Sequence, residues 1–572
     1  MPPRQFALLG SAIQKRRSVR LLPAGCSGKG GVEGLRSRVV RLVLVLIALA
    51  APAVGQFAGL GTTANGSTVY FSTPLRLRGS NSPFTYKILR QDTRLAEFLS
   101  RDLGDPIGWT WSNFYDLMDA QPSSDGSVIA ISARRACGGG SGCLAVQTAQ
   151  GSIVGADGRQ LFADAGYVSM SPNGRWALFY GRNTFGTLVT ATELVDLSNG
   201  QATKVPYSLP QGPRRQVAND GTVAVVAGSQ LHLWRTDGDQ TVPVSPNNSQ
   251  VTISADGRKI VYQTAKGLAL YDRGSGAETT LPATAVGSVA MSEDGATVAF
   301  VNAADSQVWL ASPLRQLSEE ADAMSEVTLS GNGRLAFVAT NGGRLLRIDV
   351  STGAVTELIP RTPWITSFPS PVVPGSLYRM AGKNLTPAQV RVASLDAPVQ
   401  SSAADEVWFQ IPWETPVQAA ARVELSPGNS PLESPPGTVD VAERAPGGFT
   451  TDFTVLAVHQ DWSGLVTPDS PAAEGEVIAV YLNGLGPVIP KVATEAPGPV
   501  PPAVITGALR CQFWDGSPSD GQIFFAGLAP GMIGVYQVSV QVPVGLRVTP
   551  ISLTCDFGQG TTPVFGLLPI KL

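Results

Sequence analysis

The stretch Val251-Thr-Ile-Ser-Ala-Asp-Gly-Arg-Lys-Ile-Val-Tyr262 joins a strand-like run, a polar turn closed by glycine, and a second apolar run, and it recurs along the chain. Asn173-Gly174 precedes Trp176-Ala-Leu-Phe179, Asp294-Gly295 precedes Thr297-Val-Ala-Phe300, and Asn332-Gly333 precedes Leu335-Ala-Phe-Val338. Looser copies carry Asn65-Gly66, Asp125-Gly126 and Asp220-Gly221. The glycines Gly66, Gly126, Gly174, Gly221, Gly257, Gly295 and Gly333 are spaced 60, 48, 47, 36, 38 and 38 residues apart. An Asp or Asn side chain can bond the turn amides, and glycine takes the positive φ that closes a tight hairpin. A period near forty built from strands alone predicts the blades of a β-propeller, and seven copies predict seven blades. Third and fourth strands follow in several copies, as in Leu268-Ala-Leu-Tyr-Asp272 with Glu278-Thr-Thr-Leu281, and in Gln307-Val-Trp-Leu310 and Leu345-Leu-Arg-Ile-Asp349. The long first interval reads as an insertion, with Thr85-Tyr-Lys-Ile-Leu89 and Leu95-Ala-Glu-Phe98 completing the first blade. Ring closure is expected to join strands near Gln56 to Leu60 with those near Val355 to Ile359.

On these repeats, Gln56 to Pro360 resembles the TolB-like and surface-layer-type propellers. The resemblance is specific for the fold and nearly silent about the ligand.

Charged residues make up only 15 % of the 572, against 62 Gly and 44 Pro, the composition of a turn-rich all-β protein. Residues 1–55 read as a targeting segment. Arg36, Arg38 and Arg41 precede the apolar run Leu42 to Ala51, and Ala53-Val54-Gly55 offers small residues for cleavage before Gln56. The run is too short for a membrane span, and no Cys at the cleavage point offers a lipid anchor. The long basic stretch from Met1 to Arg38 suggests a true start near Leu35 to Val40. Without residues 1–55, 33 Lys and Arg face 43 Asp and Glu, a net charge of −10. Such a surface argues against nucleic acid and anionic lipid as partners.

Export agrees with the cysteines, which pair as Cys137 with Cys143 and Cys511 with Cys555. The first pair would staple the glycine-rich hairpin Cys137-Gly-Gly-Gly-Ser-Gly-Cys143 between the second and third strands of the second blade. Between the first two turns, Trp109, Trp111, Phe114 and Tyr115 stand in a Gly/Pro-rich context. They read as packing at the ring closure or, alternatively, as a ligand loop, since exposed aromatics stack on sugars or peptides.

After Pro360 a Pro-rich linker leads into further β structure. Strands are expected over Ala388 to Val392, Glu406 to Ile411 and Ala421 to Leu425, then Glu476 to Leu482, Leu509 to Trp514, Val535 to Val542 and Ile551 to Asp556. They divide into an immunoglobulin-like β-sandwich over 361–448 and a second β-sandwich over 449–572, with the Cys511 to Cys555 bond closing the second. Six fragments carry a resemblance: Pro374-Gly-Ser-Leu377 with Gly382-Lys-Asn-Leu385, Phe409 to Trp413, Gly475 to Tyr481, Gly484-Leu-Gly-Pro487, and Phe525 to Pro543. On them, this part resembles the Solibacter-type C-terminal domain of secreted Acidobacterial proteins, a family without an established activity, and its start resembles transcription-factor-type immunoglobulin domains. In the last fragment Tyr536, Val538, Val540 and Val542 alternate with Val535, Gln537, Ser539 and Gln541, a period of two that predicts an inward apolar face. The glycines Gly527, Gly531 and Gly534 are expected to swing Phe525 and Leu528 onto the same core.

Chemistry-bearing motifs are scarce. The two histidines, His232 and His459, lie in different units and read as structural. No G-x-S-x-G elbow, P-loop, dinucleotide fingerprint or H-E-x-x-H occurs, so no catalytic, cofactor-binding or metal site is assigned. The turn acids fall at most once per repeat, a ring rather than the close pair a glycosidase needs or the oxygen cage of calcium. The reading is a secreted, cell-surface or periplasmic protein, non-enzymatic, with a glycan or an envelope or surface protein as partner. An extracellular polysaccharide lyase or glycosidase, and a TolB-like periplasmic scaffold, stand as alternatives.

Overall fold

The computed structural model describes residues 57–572 apart from 74, 80–86, 93–94, 100–113, 138–148, 158–159, 166–167, 181–182, 185–186, 189–191, 208–214, 228–229, 243, 245, 247–250, 282, 284–285, 387, 452–453 and 559–563. Among the described residues all regular structure is strand.

Between Ala58 and Ile359 seven antiparallel meander sheets follow one another. The first is built from Ala58–Thr62, Val69–Thr73, Lys87–Gln91 and Leu95–Leu99, so the insertion does complete it. The fifth has Val251–Ile253, Lys259–Thr264, Gly267–Asp272 and Ala277–Thr280. The fourth departs from the pattern: it has three strands, and its innermost is reduced to a bridge between Val217 and Val223. Apolar side chains fill the space between neighbours. Leu178, Leu194, Val223 and Val225 join sheets three and four. Ala224, Leu233, Ile253 and Tyr262 join four and five, and Val301, Leu310, Val327 and Val338 join six and seven.

Each turn is more elaborate than Asx-Gly alone. In six of the seven a hydroxyl two residues before the Asx donates to its side-chain oxygen: Thr63, Ser123, Ser171, Ser254, Ser292 and Ser330. The same oxygen accepts the amide two residues on, as Ser127 N donates to Asp125 at 3.0 Å. The hydroxyl in turn accepts the amide five residues on, as Lys259 N donates to Ser254 at 2.9 Å. The fourth copy has Ala218 there, buried under the turn of Gly257. These donors hold the Asp125 carboxyl below the usual carboxylate range, the Ser123 hydroxyl first among them.

Closure differs from the sequence expectation. Ala58–Thr62 pairs with Val69–Thr73, and Val355–Ile359 pairs with Leu345–Asp349, so each end of the ring completes its own sheet. The ends meet face to face instead. Phe57, Val69 and Phe71 pack against Phe337, Leu345 and Ile359, and the Glu326 carboxylate accepts the amides of Gly59 and Leu60, both at 3.0 Å. A register shift between Ala58 and Gly61 frees those two amides from the first sheet's ladder.

After the ring come two further cores. Sheets of Trp364–Ser367, Leu377–Lys383, Glu406–Gln410 and Val399–Ser402, and of Leu395–Ala397, Val390–Val392, Gln418–Leu425 and Gly437–Val441, enclose Met380, Val392, Val407, Phe409 and Val423. A seven-stranded and a six-stranded sheet then enclose Ile478, Val480, Phe513, Tyr536, Val538, Val540 and Leu553. The strand Tyr536–Gln541 alternates buried and half-buried residues as its sequence predicts. Leu528 is buried, but Phe525 is only half-buried, because its ring lies over Gly527 on the sheet's outer side.

Cys511 and Cys555 are bonded. They sit directly opposite each other on adjacent strands of the six-stranded sheet, so the bond staples one sheet and does not close the two together. With 44 residues of separation, reduction should cost roughly 3 to 4 kcal/mol. We expect it to lower the melting temperature of the C-terminal unit far more than that of the ring; equal shifts would contradict this. The Cys137 to Cys143 pairing lies outside the described residues.

Candidate functional site

The seven Asx-Gly turns join first to second strands, so all lie on one face of the ring, and backbone amides link them in a closed circuit, six bonding a carbonyl and one the Asn219 side chain. Ala64 N donates to Ser124 O at 2.8 Å, Ser124 N to Pro172 O at 2.6 Å, and Asn173 N to Asn219 Oδ1 at 2.8 Å. Asn219 N then donates to Ala255 O, Ala255 N to Glu293 O, Glu293 N to Gly331 O, and Asn332 N back to Ala64 O. The turn glycines sit on the preceding repeat. A Cβ at Gly221, whose φ is +82°, would lie 3.0 Å from the Trp176 ring. The repeated glycine therefore serves both the turn conformation and the approach of neighbouring sheets.

Within this circuit the Glu293 and Arg215 side chains reach across the ring. Glu293 Oε1 accepts the Ser124 hydroxyl at 2.7 Å, from sheet six to sheet two, and takes Arg215 Nη1 at 3.4 Å. Arg215 also donates to Pro122 O at 3.1 Å. The surrounding protein pushes the Arg215 guanidinium down from its ordinary value, with Glu293 opposing, although about a fifth of each side chain still reaches solvent. A carboxylate already engaged by a guanidinium and a hydroxyl is a brace across the turn-side mouth, poorly placed as a general acid. Sequence reading passed over both: Glu293 holds the variable position of the repeat, just before the Asx, where Ala64, Ser124, Pro172, Asn219, Ala255 and Gly331 stand in the other copies, and Arg215 lies outside the repeat, so neither carries a periodic signal. Among the described residues no group of three or more His, Cys, Asp or Glu could hold a metal.

Of the aromatic candidates, Trp109 and Trp111 lie outside the described residues. Phe114 and Tyr115 begin the strand Phe114–Pro122, opposite Cys137 and Ala136, and their side chains are likewise outside the description.

The histidines are better connected than their sequence context suggests. His232 Nδ1 lies 2.9 Å from the Tyr207 hydroxyl, which also donates to Asp239, and the two rings stack at 4.5 Å. Burial first, and Asp239 second, push the Tyr207 phenol up to about 12. His459 Nδ1 is 2.7 Å from Glu476 Oε1, and its Nε2 is 3.1 Å from both Ser470 Oγ and Ser470 O. The order Ser, His, Glu matches a nucleophile, base and orienting acid. The backbone carbonyl competes at equal distance for Nε2, however, which makes the ring a two-armed clamp on its loop.

The motif fragments of the C-terminal part converge on one seam between its two cores. Gly375 N donates to Ile411 O, and Gln410 Nε2 to Gly375 O. Gly484 N donates to the Ser376 hydroxyl at 3.0 Å, Leu377 N to Gly534 O at 2.8 Å, and Asn483 Nδ2 to Leu377 O at 3.2 Å. Asn384, from a further fragment, donates to Gly342 O of the ring at 2.9 Å. A Cβ at Gly375, with φ +79°, would fall 2.3 Å from the Trp413 ring. Gly375→Ala should therefore cost about 2–4 kcal/mol through backbone strain and overpacking; an unchanged melting profile of the C-terminal units would refute the seam.

No family model matches the chain, and no curated protein matches it. Solved structures similar to it are the C-terminal WD40 domain of Sif2 (12% identity, TM-score 0.32, 50% of this chain and 93% of that one) and the β-propeller domain of the trilobed protease from Pyrococcus furiosus, described as having an open velcro topology (11%, 0.35, 54% and 96%). Hydrazine synthase from Kuenenia stuttgartiensis is similar at 13% identity and TM-score 0.33, over 54% of this chain and 97% of that one. On its own succession of sheets and closed circuit of turns, the N-terminal part of this chain is a β-propeller.

Proposed function

We propose that this chain is an exported, non-enzymatic binding protein: a seven-bladed propeller carried on two immunoglobulin-like sandwich units, taking a glycan or surface-protein ligand on the face opposite the Asx-Gly turns. The observation that carries the reading is the fate of the turn face. Asp125, Asp256 and Asp294 each engage Oδ1 inside their turns, and Glu293, Arg215 and Ser124 brace the mouth of that face. Ligand recognition then falls to the connections between second and third strands and between sheets. A disulfide in the C-terminal unit suits an oxidising compartment, and the apolar run after Arg41 suits export. No described helix is long and apolar enough to cross a membrane.

The test is hydrogen exchange on the full chain with a panel of neutral and acidic oligosaccharides and surface-protein extracts. Protection on the connections opposite the turns is expected. Protection confined to the Asx-Gly turns, or release of new reducing ends or unsaturated ends from a polysaccharide, would overturn the reading.

A further inference from the structure

Where the ring meets the two units that follow it, the described residues enclose a cleft of about 760 Å³. Its walls come from all three parts. Arg76 belongs to the connection between the second and third strands of the first sheet, the kind of connection to which recognition is assigned above. Gln389, Arg391, Asp396, Glu424 and Ser426 come from the middle unit, and Glu495 from the last. A space of this size accommodates a ligand of a few sugar rings or amino-acid residues.

Most charges on these walls are already answered. Arg76 Nε lies 2.6 Å from Glu433 Oε1, which also lines the cleft. Arg391 Nε lies 3.1 Å from Asp396 Oδ1 and its Nη2 donates to Ser394 O at 2.7 Å, while Arg422, outside the cleft, takes Glu424 at 2.6 Å. Glu495 is the exception: its side chain is exposed, and its carboxylate has no partner among the described residues. The Glu495 amide donates to Oε1 of the buried Gln410 at 2.8 Å, which fixes the residue on the wall at φ 68°. The side-chain amide of Gln389 and the hydroxyl of Ser426 are likewise without partners among the described residues. The cleft thus presents one uncompensated negative charge together with an amide and a hydroxyl.

We propose that this cleft binds an oligosaccharide that carries a protonated amine, such as an oligomer of glucosamine, with the ammonium group on Glu495 and ring hydroxyls on Gln389 and Ser426. The proposal rests on the binding reading above and names its site and ligand class. Charge complementarity selects the amine. An acidic sugar would set its carboxylate against Glu495, and a neutral one would cover that carboxylate without answering its charge. A peptide that adds itself as a strand needs backbone donors along the wall, and Pro398, Pro427 and Pro436 interrupt the segments that form it.

The test is calorimetric titration of the full chain, at mildly acidic pH, with glucosamine hexasaccharide, its fully N-acetylated form, hexagalacturonate and hexalysine. The free-amine oligomer should bind, more weakly as salt is raised, and N-acetylation should lower its affinity about tenfold or more. Glu495→Gln keeps the side chain's shape and the amide bond to Gln410, so its melting temperature should match that of the wild type. Its affinity for glucosamine hexasaccharide should nevertheless fall about tenfold and lose its sensitivity to N-acetylation. Equal wild-type affinity for the two oligomers, unchanged affinity in Glu495→Gln, binding of hexalysine or hexagalacturonate alone, or no binding at all overturns the proposal. Hydrogen exchange with the bound oligomer separates it from the reading it rests on. Protection over 389–399 and 494–495 is expected; protection only on other connections opposite the turns would keep the binding reading and remove this cleft, whereas protection confined to the Asx-Gly turns would remove both.

Discussion

Leu432→Ala is expected to lower the melting temperature of the propeller, although Leu432 lies some seventy residues beyond the last propeller strand, Val355–Ile359. Its side chain is fully buried in the cluster that closes the ring, among Phe57, Leu60, Phe71, Leu75, Phe337 and Ile359. It arrives there because Arg76–Leu77, an excursion of the first sheet, pairs with Leu432–Glu433 of the following unit. Arg76 and Glu433 add an ion pair at 2.6 Å, and Arg78 N donates to Pro431 O at 2.9 Å. Deleting a buried Leu side chain should cost about 2–5 kcal/mol, the spread depending on how far the cavity collapses. In a chain of several units that loss appears in one transition and not in a global value, so scanning calorimetry should show the propeller transition moving down. By the same reasoning, a fragment cut at Pro360 should melt below the propeller of the full chain. An unmoved propeller transition in Leu432→Ala would show that the ring closes without help.

The repeat was legible because its chemistry is local: an Asx, a glycine with positive φ and flanking strands all fall within a dozen residues. The hydroxyl two positions before the Asx was equally local and equally periodic, in six of seven copies. It escaped notice because serine in a polar turn looks like ordinary loop composition. Contacts that exist only once the ring has formed were not legible. Ser124 and Glu293 hold the same variable position of their repeats, 169 residues apart, and Arg215, 78 residues from Glu293, lies outside the repeat, so nothing in the sequence marks them as partners. Closure was misjudged for a related reason. Strand-like runs at both ends of a ring are compatible with a shared sheet, and the choice between that and face packing rests on the bulge at Ala58 to Gly61 and on Glu326. In the C-terminal part the motif fragments were visible as fragments, but only the fold shows that Gly375, Trp413, Gly484 and Gly534 meet at one seam.

Tyr536→Ala should cost about 3–5 kcal/mol of the C-terminal unit's stability. Tyr536 is fully buried, at the head of a strand whose alternate residues Val538 and Val540 fill the same core, and its hydroxyl donates to Gly486 O at 2.5 Å. Two effects can be separated. Tyr536→Phe keeps the ring and removes the donor, leaving a buried carbonyl without that partner, at about 1–3 kcal/mol; Tyr536→Ala adds the cavity. Gly486, with φ +85°, belongs to the Gly484 to Pro487 fragment, so the bond ties two motif fragments together and the phenol acts as a structural strut. Burial also pushes that phenol up, which keeps it protonated and donating at neutral pH. Val540→Ala, on the same inward face, should behave as a smaller version of the same loss. Denaturant unfolding followed by the near-ultraviolet signal of the C-terminal unit would rank the three. If the alanine variants keep full stability while the protein loses its attachment to a surface or partner, the strand is a recognition face and the inward packing has been misread.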